Sequence, residues 1–383
     1  MAEGLLAGVR LLDLTNVLAG PYCAYQFALL GADVLKVEAP EGDLARGLGA
    51  DPELNRIRMG ASFLAQNAGK RSVVLDLRAA ADRERFLALV DDADALVENF
   101  RPGVMDRLGL GAAILRARKP SLVYCAISGF GQTGPMRGNP AYDQIVQGLS
   151  GVMSITGTPE GAPLRAGYPV ADTLGGMVGA FAIAAALLRA RQTGQGATLD
   201  VSMLDSMLSA LGWPASNWLT AGLEPRPMGN DNMTAAPSGA FATGAGLINI
   251  AANTQAQFER LMAVIGRGEL CHDPRFAARD ERKRNRAALT REIEAVLRTA
   301  TAEEWEARLN EAGVPAGRIL TVPEILREPQ VVEREMMHRF DTVPGTGRPL
   351  TVLRGGFLVD GRAPAPAAPP PVLGAHQDEG FAP

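Results

Sequence analysis

The chain has 383 residues, 47% hydrophobic and 21% charged, which is too long for one core and ordinary for a globular enzyme of two domains. Its formal net charge of -4 offers no basic field, so no nucleic-acid partner is expected. Two basic clusters stand out, Lys70-Arg71 and Arg282-Lys283-Arg284 with Arg286, and the second reads as a solvated helix face.

Strand and helix signals alternate along the first part. Residues 9–14 form an apolar run carrying Asp13 and leading to Thr15; Gly20-Pro21 opens a helix through Ala24, Phe27, Ala28 and Leu30; Gly31 stops it; 33–37 is the next strand. Further strands are predicted at 72–77, 95–97 and 122–127, with a helix over 80–89. Strands separated by helix-length segments imply βαβ units and a parallel sheet. A long apolar helix is predicted over 172–191, then a turn at Thr193-Gly194-Gln195-Gly196, a strand over 197–201 and a helix over 202–219. Pro225 and Pro227 mark a linker. From 228 to 326 the pattern becomes α+β, with strands near 240–241 and 247–252 and helices over 254–264, 285–297 and 302–312. The Pro- and Ala-rich stretch 363–371 is expected to be extended. The domain reading is therefore 1–200 as the first part of a large domain, 201–227 as helix and linker, 228–326 as a small domain, and 327–383 as a linker and tail returning to the large domain.

Cys23, Cys125 and Cys271 have neither metal-ligand spacing nor an even count, so free thiols and no metal are expected. Met1-Ala2-Glu3-Gly4 lacks the basic start of a secretory signal. The most apolar stretch, 174–188, falls short of the roughly 18 residues of a membrane span. The expectation is a cytoplasmic protein with no membrane partner.

Asp172 heads Asp172-Thr173-Leu174-Gly175-Gly176-Met177-Val178-Gly179-Ala180. At a helix start, the dipole and free N–H groups would hold its carboxylate ionised. Two readings stay open: a helix cap, or a positioned nucleophile that forms a covalent acyl intermediate. Gly175, Gly176 and Gly179 suit the close approach of another backbone, or room for a ligand. Gly129-Phe130-Gly131-Gln132-Thr133-Gly134 matches a dinucleotide fingerprint, but Pro135, Gly138 and Pro140 follow where the phosphate-binding helix must start, so a loop is expected. His272, His338 and His376 all fall in the last third, and no Gly-x-Ser-x-Gly elbow is present, which disfavours a Ser-His-Asp hydrolase.

Four segments then occur in order: Leu12-Asp13-Leu14-Thr15-Asn16-Val17-Leu18-Ala19-Gly20-Pro21 with Leu30 to Glu38; Asn67-Ala68-Gly69-Lys70-Arg71-Ser72 with Leu75-Asp76-Leu77; Val97-Glu98-Asn99-Phe100-Arg101-Pro102-Gly103 with Arg107-Leu108-Gly109; and Pro140-Ala141-Tyr142-Asp143 with the Asp172 region, closing at Pro371-Val372-Leu373-Gly374. In this combination nearly the whole chain resembles the family III CoA-transferases, the formyl-CoA transferase and carnitine CoA-transferase group.

The resemblance implies an α/β fold with a large doubly wound (Rossmann-like) domain and a small α+β domain, two chains interlocking as a homodimer. It makes Asp172 the catalytic nucleophile. Val17 and Ala19 fall on the loop lining the CoA site, with Leu18 where some members carry Gln. Leu75, Asp76 and Arg78 match a stretch contacting the adenine nucleotide. Asn99, Phe100 and Arg107 match further CoA contacts, and Arg107 suits a phosphate. Ala39 stands where some members have a CoA-binding Arg. Tyr142 and Asp143 match residues beside the nucleophile; they equally suit a helix cap.

No cofactor is bound permanently on this reading, CoA thioesters being substrates. The implied activity moves CoA from an acyl-CoA donor, succinyl-CoA, to a short carboxylic acid, expected to be a dicarboxylate such as mesaconate, itaconate, citramalate or glutarate, through an aspartyl-CoA thioester. The stretch 228–239 is expected to face the acyl pocket. The alternative is an acyl-CoA racemase or isomerase of the same superfamily, whose catalytic His would fall at Tyr142.

Overall fold

The structure, a computed structural model, describes residues 4–381; Met1–Glu3, on which the reading of the chain's start rests, lie outside the described residues. The chain divides into two compact units. One takes the chain up to Val152, Arg165–Glu224 and the chain from Pro329 on; the other takes Met153–Leu164 and Pro225–Glu328.

The first unit is built on β1 (Arg10–Asp13), α1 (Ala19–Leu29), β2 (Asp33–Glu38), β3 (Lys70–Val74), α2 (Ala80–Asp92), β4 (Ala95–Glu98), α3 (Ala112–Arg118), β5 (Val123–Ser128), α4 (Asp143–Leu149), α5 (Val170–Thr193), β6 (Ala197–Ser202), α6 (Met203–Ala210) and α7 (Trp213–Ala221). The six strands pair in parallel in the order β3-β2-β1-β4-β5-β6. Parallel strands bury both faces, and successive side chains serve opposite layers. Leu11, Val34, Val97, Val123, Cys125 and Ile127 pack with α1 and α5 on one face, while Leu12, Leu35, Leu96, Tyr124 and Ala126 pack with Phe86, Leu89 and Leu115 of α2 and α3 on the other.

Two predicted boundaries move. The strand expected at 72–77 is β3, shifted toward the N-terminus. The single helix expected over 202–219 is α6 and α7, because Pro214 cannot continue a helix and Gly212 takes φ +55 at the break. No helix follows the Gly129–Gly134 loop until α4, so the fingerprint is a loop.

α5 also differs from expectation. At 24 residues it is long and apolar enough to cross a membrane by length and composition. Its Ala180, Ile183, Ala186 and Leu187 instead join the sheet core. The glycines on that side serve close packing: a Cβ on Gly176 would sit 2.4 Å from the Ala19 carbonyl oxygen, and one on Gly179 would sit 2.8 Å from Ile127 Cδ1.

The second unit carries β7 (Ser238–Ala242), β8 (Leu247–Ala251), α8 (Gln255–Val264), α9 (Arg279–Arg284), α10 (Arg286–Leu297), α11 (Ala302–Glu311) and β9 (Ala316–Arg318). Its strands form an antiparallel sheet, β7-β8-β9, over a core that includes Phe241, Ile248, Ile250, Phe258, Leu261, Ile293 and Trp305. Capping boxes at Thr254–Gln257 and Thr301–Glu304 start α8 and α11.

The basic run is not wholly solvated. Arg282 is buried, stacks on Phe258 with its guanidinium carbon 4.3 Å from the ring centroid, and donates to the carbonyls of Ala236, Phe276 and Ala277. Charge periodicity alone does not reveal a guanidinium consumed by loop carbonyls.

Back in the first unit, β10 (Met337–Phe340) and β11 (Leu350–Leu353) form an unpredicted hairpin. The tail then covers the free edge of β3: His376 N–H donates to the Ser72 carbonyl, and the Gln377 amide bonds both backbone groups of Val74. Covering an edge strand removes a template for unwanted pairing.

Candidate active site

In the strand order β3-β2-β1-β4-β5-β6, successive connections diverge between β1 and β4, which opens a crevice at the carboxyl ends of those strands. A cavity of about 230 Å³ lies there, lined by Asn16, Val17, Leu18 and Ala19 after β1, Asn99 and Phe100 after β4, Ile127, Ser128 and Gly129 at the end of β5, Ala141 and Tyr142 before α4, Met203 after β6, and Asp172.

The loop after β1 is held peptide by peptide. Lys36 Nζ donates to the Thr15 carbonyl at 2.7 Å, Asn99 bonds both the N–H and the carbonyl of Asn16 at 2.8 Å, and Asp43 Oδ1 accepts the Val17 N–H at 2.9 Å. This clamp keeps Val17 at φ +68, a left-handed conformation that is rare for a β-branched residue and costs about 1–3 kcal/mol. The turn starts α1 at Ala19 with no side-chain cap on its first N–H groups.

A buried ionic network lies beneath the loop. Lys70 Nζ donates to Asp13 Oδ2 at 2.8 Å, and Lys36 stands 3.0 Å from Asp43. Burial opposes the charge on Asp13, but Lys36 and Lys70 outweigh it and its carboxyl stays below the usual range. Burial lowers Lys70 to about 8. Behind Phe100, burial raises the carboxyl of Glu98 to about 7, although it accepts the Phe100 N–H at 2.7 Å and the Tyr124 hydroxyl at 3.2 Å.

Asp172 differs from the sequence expectation in two ways. α5 begins at Val170 with Pro169 at its cap position, so Asp172 lies in the first turn and is no cap. Nor is its carboxyl held low. Burial first, then the charge of Asp143, push it up to about 7. Desolvation and a like charge outweigh the helix dipole there.

Asp143 caps the helix instead, Oδ1 accepting the Ala171 N–H at 2.8 Å. Of the residues named from sequence, the fold thus gathers Val17, Ala19, Asn99, Phe100, Tyr142 and Asp172 at one cavity, with Asp143 immediately behind. It leaves four elsewhere. Leu75 is buried in the sheet core; Asp76 pairs with exposed Arg78 at 2.8 Å; Arg107 is exposed at the end of a short helix, Val104–Arg107. The stretch 228–239 lines a cleft of about 480 Å³ in the second unit, with Asn249 and Pro315 to Gly317. No His lines the Asp172 cavity.

Lys36, Asp43, Gln147 and Ser128 were not foreseen. The Ser128 hydroxyl is buried without a hydrogen-bond partner among the described residues. Lys36 and Lys70 carried a signal, since a lysine inside an apolar parallel strand requires a buried partner.

A family model described as CoA-transferase family III matches residues 6–377. The chain belongs to CoA-transferase family III. It is 40% identical over 352 residues to the acetyl-CoA:oxalate CoA-transferase of Acetobacter aceti, covering 91% of this chain and 90% of that protein. It is 36% identical over 385 residues to the succinate–glutarate CoA-transferase of Agrobacterium fabrum, covering 97% and 94%. The crystal structure of a CAIB/BAIF family protein from Brucella suis superposes with a TM-score of 0.85 at 36% identity, covering 98% of each chain. In this family III CoA-transferase the Asp172 cavity sits where an open parallel sheet places ligands.

Proposed function

We propose that this CoA-transferase moves CoA from succinyl-CoA to a short dicarboxylic acid by way of Asp172. The observation that carries the reading is the convergence of a basic, partly buried carboxylate with the clamped β1 loop and Phe100 in one cavity. Asp172 attacks the thioester carbonyl; the C–S bond breaks and leaves CoA thiolate with a mixed anhydride. The thiolate attacks the Asp172 acyl carbon, releasing the donor acid and forming the aspartyl-CoA thioester. The acceptor carboxylate repeats the sequence in reverse. Thioester energy is conserved, so no permanently bound cofactor is needed. Water must be kept from both intermediates, and the uncapped N–H groups of α1 at Leu18 and Ala19 are suited to a developing oxyanion.

A short acid fits a cavity of about 230 Å³, and the named relatives act on oxalate, succinate and glutarate. Arg107, exposed and without an ion-pair partner among the described residues, is available to a CoA phosphate, while Leu75, Asp76 and Arg78 are assigned to the nucleotide end. The working form is an interlocked homodimer in the cytoplasm. Met177, Phe181 and Leu188 leave an exposed apolar stripe on α5, and Trp213, Trp218 and Leu219 another on α7, both suited to a second copy.

Succinyl-CoA incubated with oxalate, glutarate, mesaconate, citramalate and a long-chain acid should yield new thioesters of the short dicarboxylates, read by mass, with a CoA-mass adduct on Asp172 in a single turnover. An active Asp172→Ala enzyme would overturn the nucleophile, and preference for the long-chain acid would overturn the substrate class.

A further inference from the structure

We propose that Asp143 is the positioning residue of this site: it fixes the first turn of α5 and sets a second negative charge against Asp172, raising the free carboxylate in energy while sparing its acylated forms. The proposal rests on Asp172 being the nucleophile.

The geometry begins with a missing cap. Pro169 offers no side-chain oxygen to the first turn of α5, so the Ala171 N–H needs an acceptor from elsewhere. Asp143, on α4, supplies it at 2.8 Å. The other Asp143 oxygen accepts Gln147 Nε2 at 2.7 Å; the same amide donates to the Tyr168 carbonyl at 3.3 Å, and Gln147 Oε1 accepts the Ala166 N–H at 2.8 Å. Asp143 and Gln147, 8% and 0% exposed, together grip residues 166–171, the segment that delivers Asp172.

No Lys, Arg or His among the described residues forms an ion pair with Asp143 or Asp172. A buried carboxylate is costly without a cation, and here buried Asp143 stands beside half-buried Asp172. On the elements packed against α5, the titratable groups are Tyr22, Cys23 and Tyr25 of α1, Asp143 of α4, Tyr124 and Cys125 of β5, Asp200 of β6 and Asp205 of α6. Of these, Asp143 is the one whose charge adds to burial in pushing the Asp172 carboxyl up.

The effect is selective along the reaction. When Asp172 oxygen bonds the acyl carbon, its charge passes to the departing CoA sulfur; when that thiolate attacks the Asp172 acyl carbon, the charge leaves on the donor acid. In the anhydride and the thioester Asp172 is neutral, so repulsion from Asp143 burdens only the free carboxylate and keeps it basic and nucleophilic.

The test is single-turnover acylation of the full-length enzyme by succinyl-CoA between pH 5 and 9, following the Asp172 adduct by mass. Asp143→Asn and Asp143→Ser, either of which suffices, should move the acid limb of the rate down by about one pH unit or more and lower the plateau rate at high pH. An acid limb unchanged in both folded variants, with the adduct still forming, overturns the role of Asp143 and leaves the nucleophile standing. Absence of the adduct in the unmodified enzyme is a separate result, and it removes the nucleophile and this proposal together.

Discussion

Asn99 and Asn16 exchange two hydrogen bonds: Asn99 Nδ2 donates to the Asn16 carbonyl and Asn99 Oδ1 accepts the Asn16 N–H, each at 2.8 Å. The side chain expected to touch CoA is thus committed to the loop that carries Val17. Each such bond contributes about 0.5–1.5 kcal/mol, and their joint loss would free a strained turn. Asn99→Leu should lower kcat/KM for acyl-CoA on the order of ten- to a hundredfold while the fold survives. Steady-state kinetics beside a melting curve will separate the two effects.

Glu98 titrates near 4.5 when unfolded and at about 7 in the fold, where burial disfavours its charge. A raised acid pKa gives stability that is complete below pH 4.5 and is lost as pH climbs through 7. Glu98→Gln removes this dependence. Relative to the parent, the variant should gain about 2–3 kcal/mol on going from pH 5 to pH 8. Urea midpoints at the two pH values measure it, and equal differences at both would refute it.

Gly176 leaves no room for a side chain, since a Cβ there would meet the Ala19 carbonyl oxygen at 2.4 Å. The oxygen is backbone and a Cβ is fixed by its own backbone, so one helix must move. Gly176→Ala should destabilise by roughly 1–3 kcal/mol. It should also cut activity, because Ala19 opens α1 at the cavity wall. A variant with normal melting and normal turnover would show that the two helices tolerate separation.

Arg282 and Arg284 are neighbours with opposite expected costs. Arg282→Met strands the carbonyls of Ala236, Phe276 and Ala277 and should destabilise by about 3 kcal/mol or more. Arg284 is exposed and pairs only with Glu281, so Arg284→Ala should change stability by less than about 0.5 kcal/mol. Comparable denaturation midpoints for the two variants would contradict the burial of Arg282.

The class of fold and the run that carries Asp172 were legible in the sequence alone. Alternation of apolar strands with amphipathic segments required a parallel sheet, and the glycines near Asp172 announced a tight helix contact, met at Gly176 and Ala19. Asp172, Tyr142 and the Val17–Ala19 loop could be singled out because each lies in a short, recognisable run, and the fold brings them to one cavity. Tertiary structure decided what distance along the chain conceals. Asp143 replaces a cap that Pro169 cannot provide, Asn99 spends its amide on Asn16, and Arg282 turns inward from a charged run. Protonation of Asp172 belongs to the same class. The local helix dipole argued for an ionised carboxylate, while burial and a charge from another helix push it up to about 7. Local pattern encodes which backbone forms; the energy of a charge depends on everything packed around it, and only the fold assembles that surrounding.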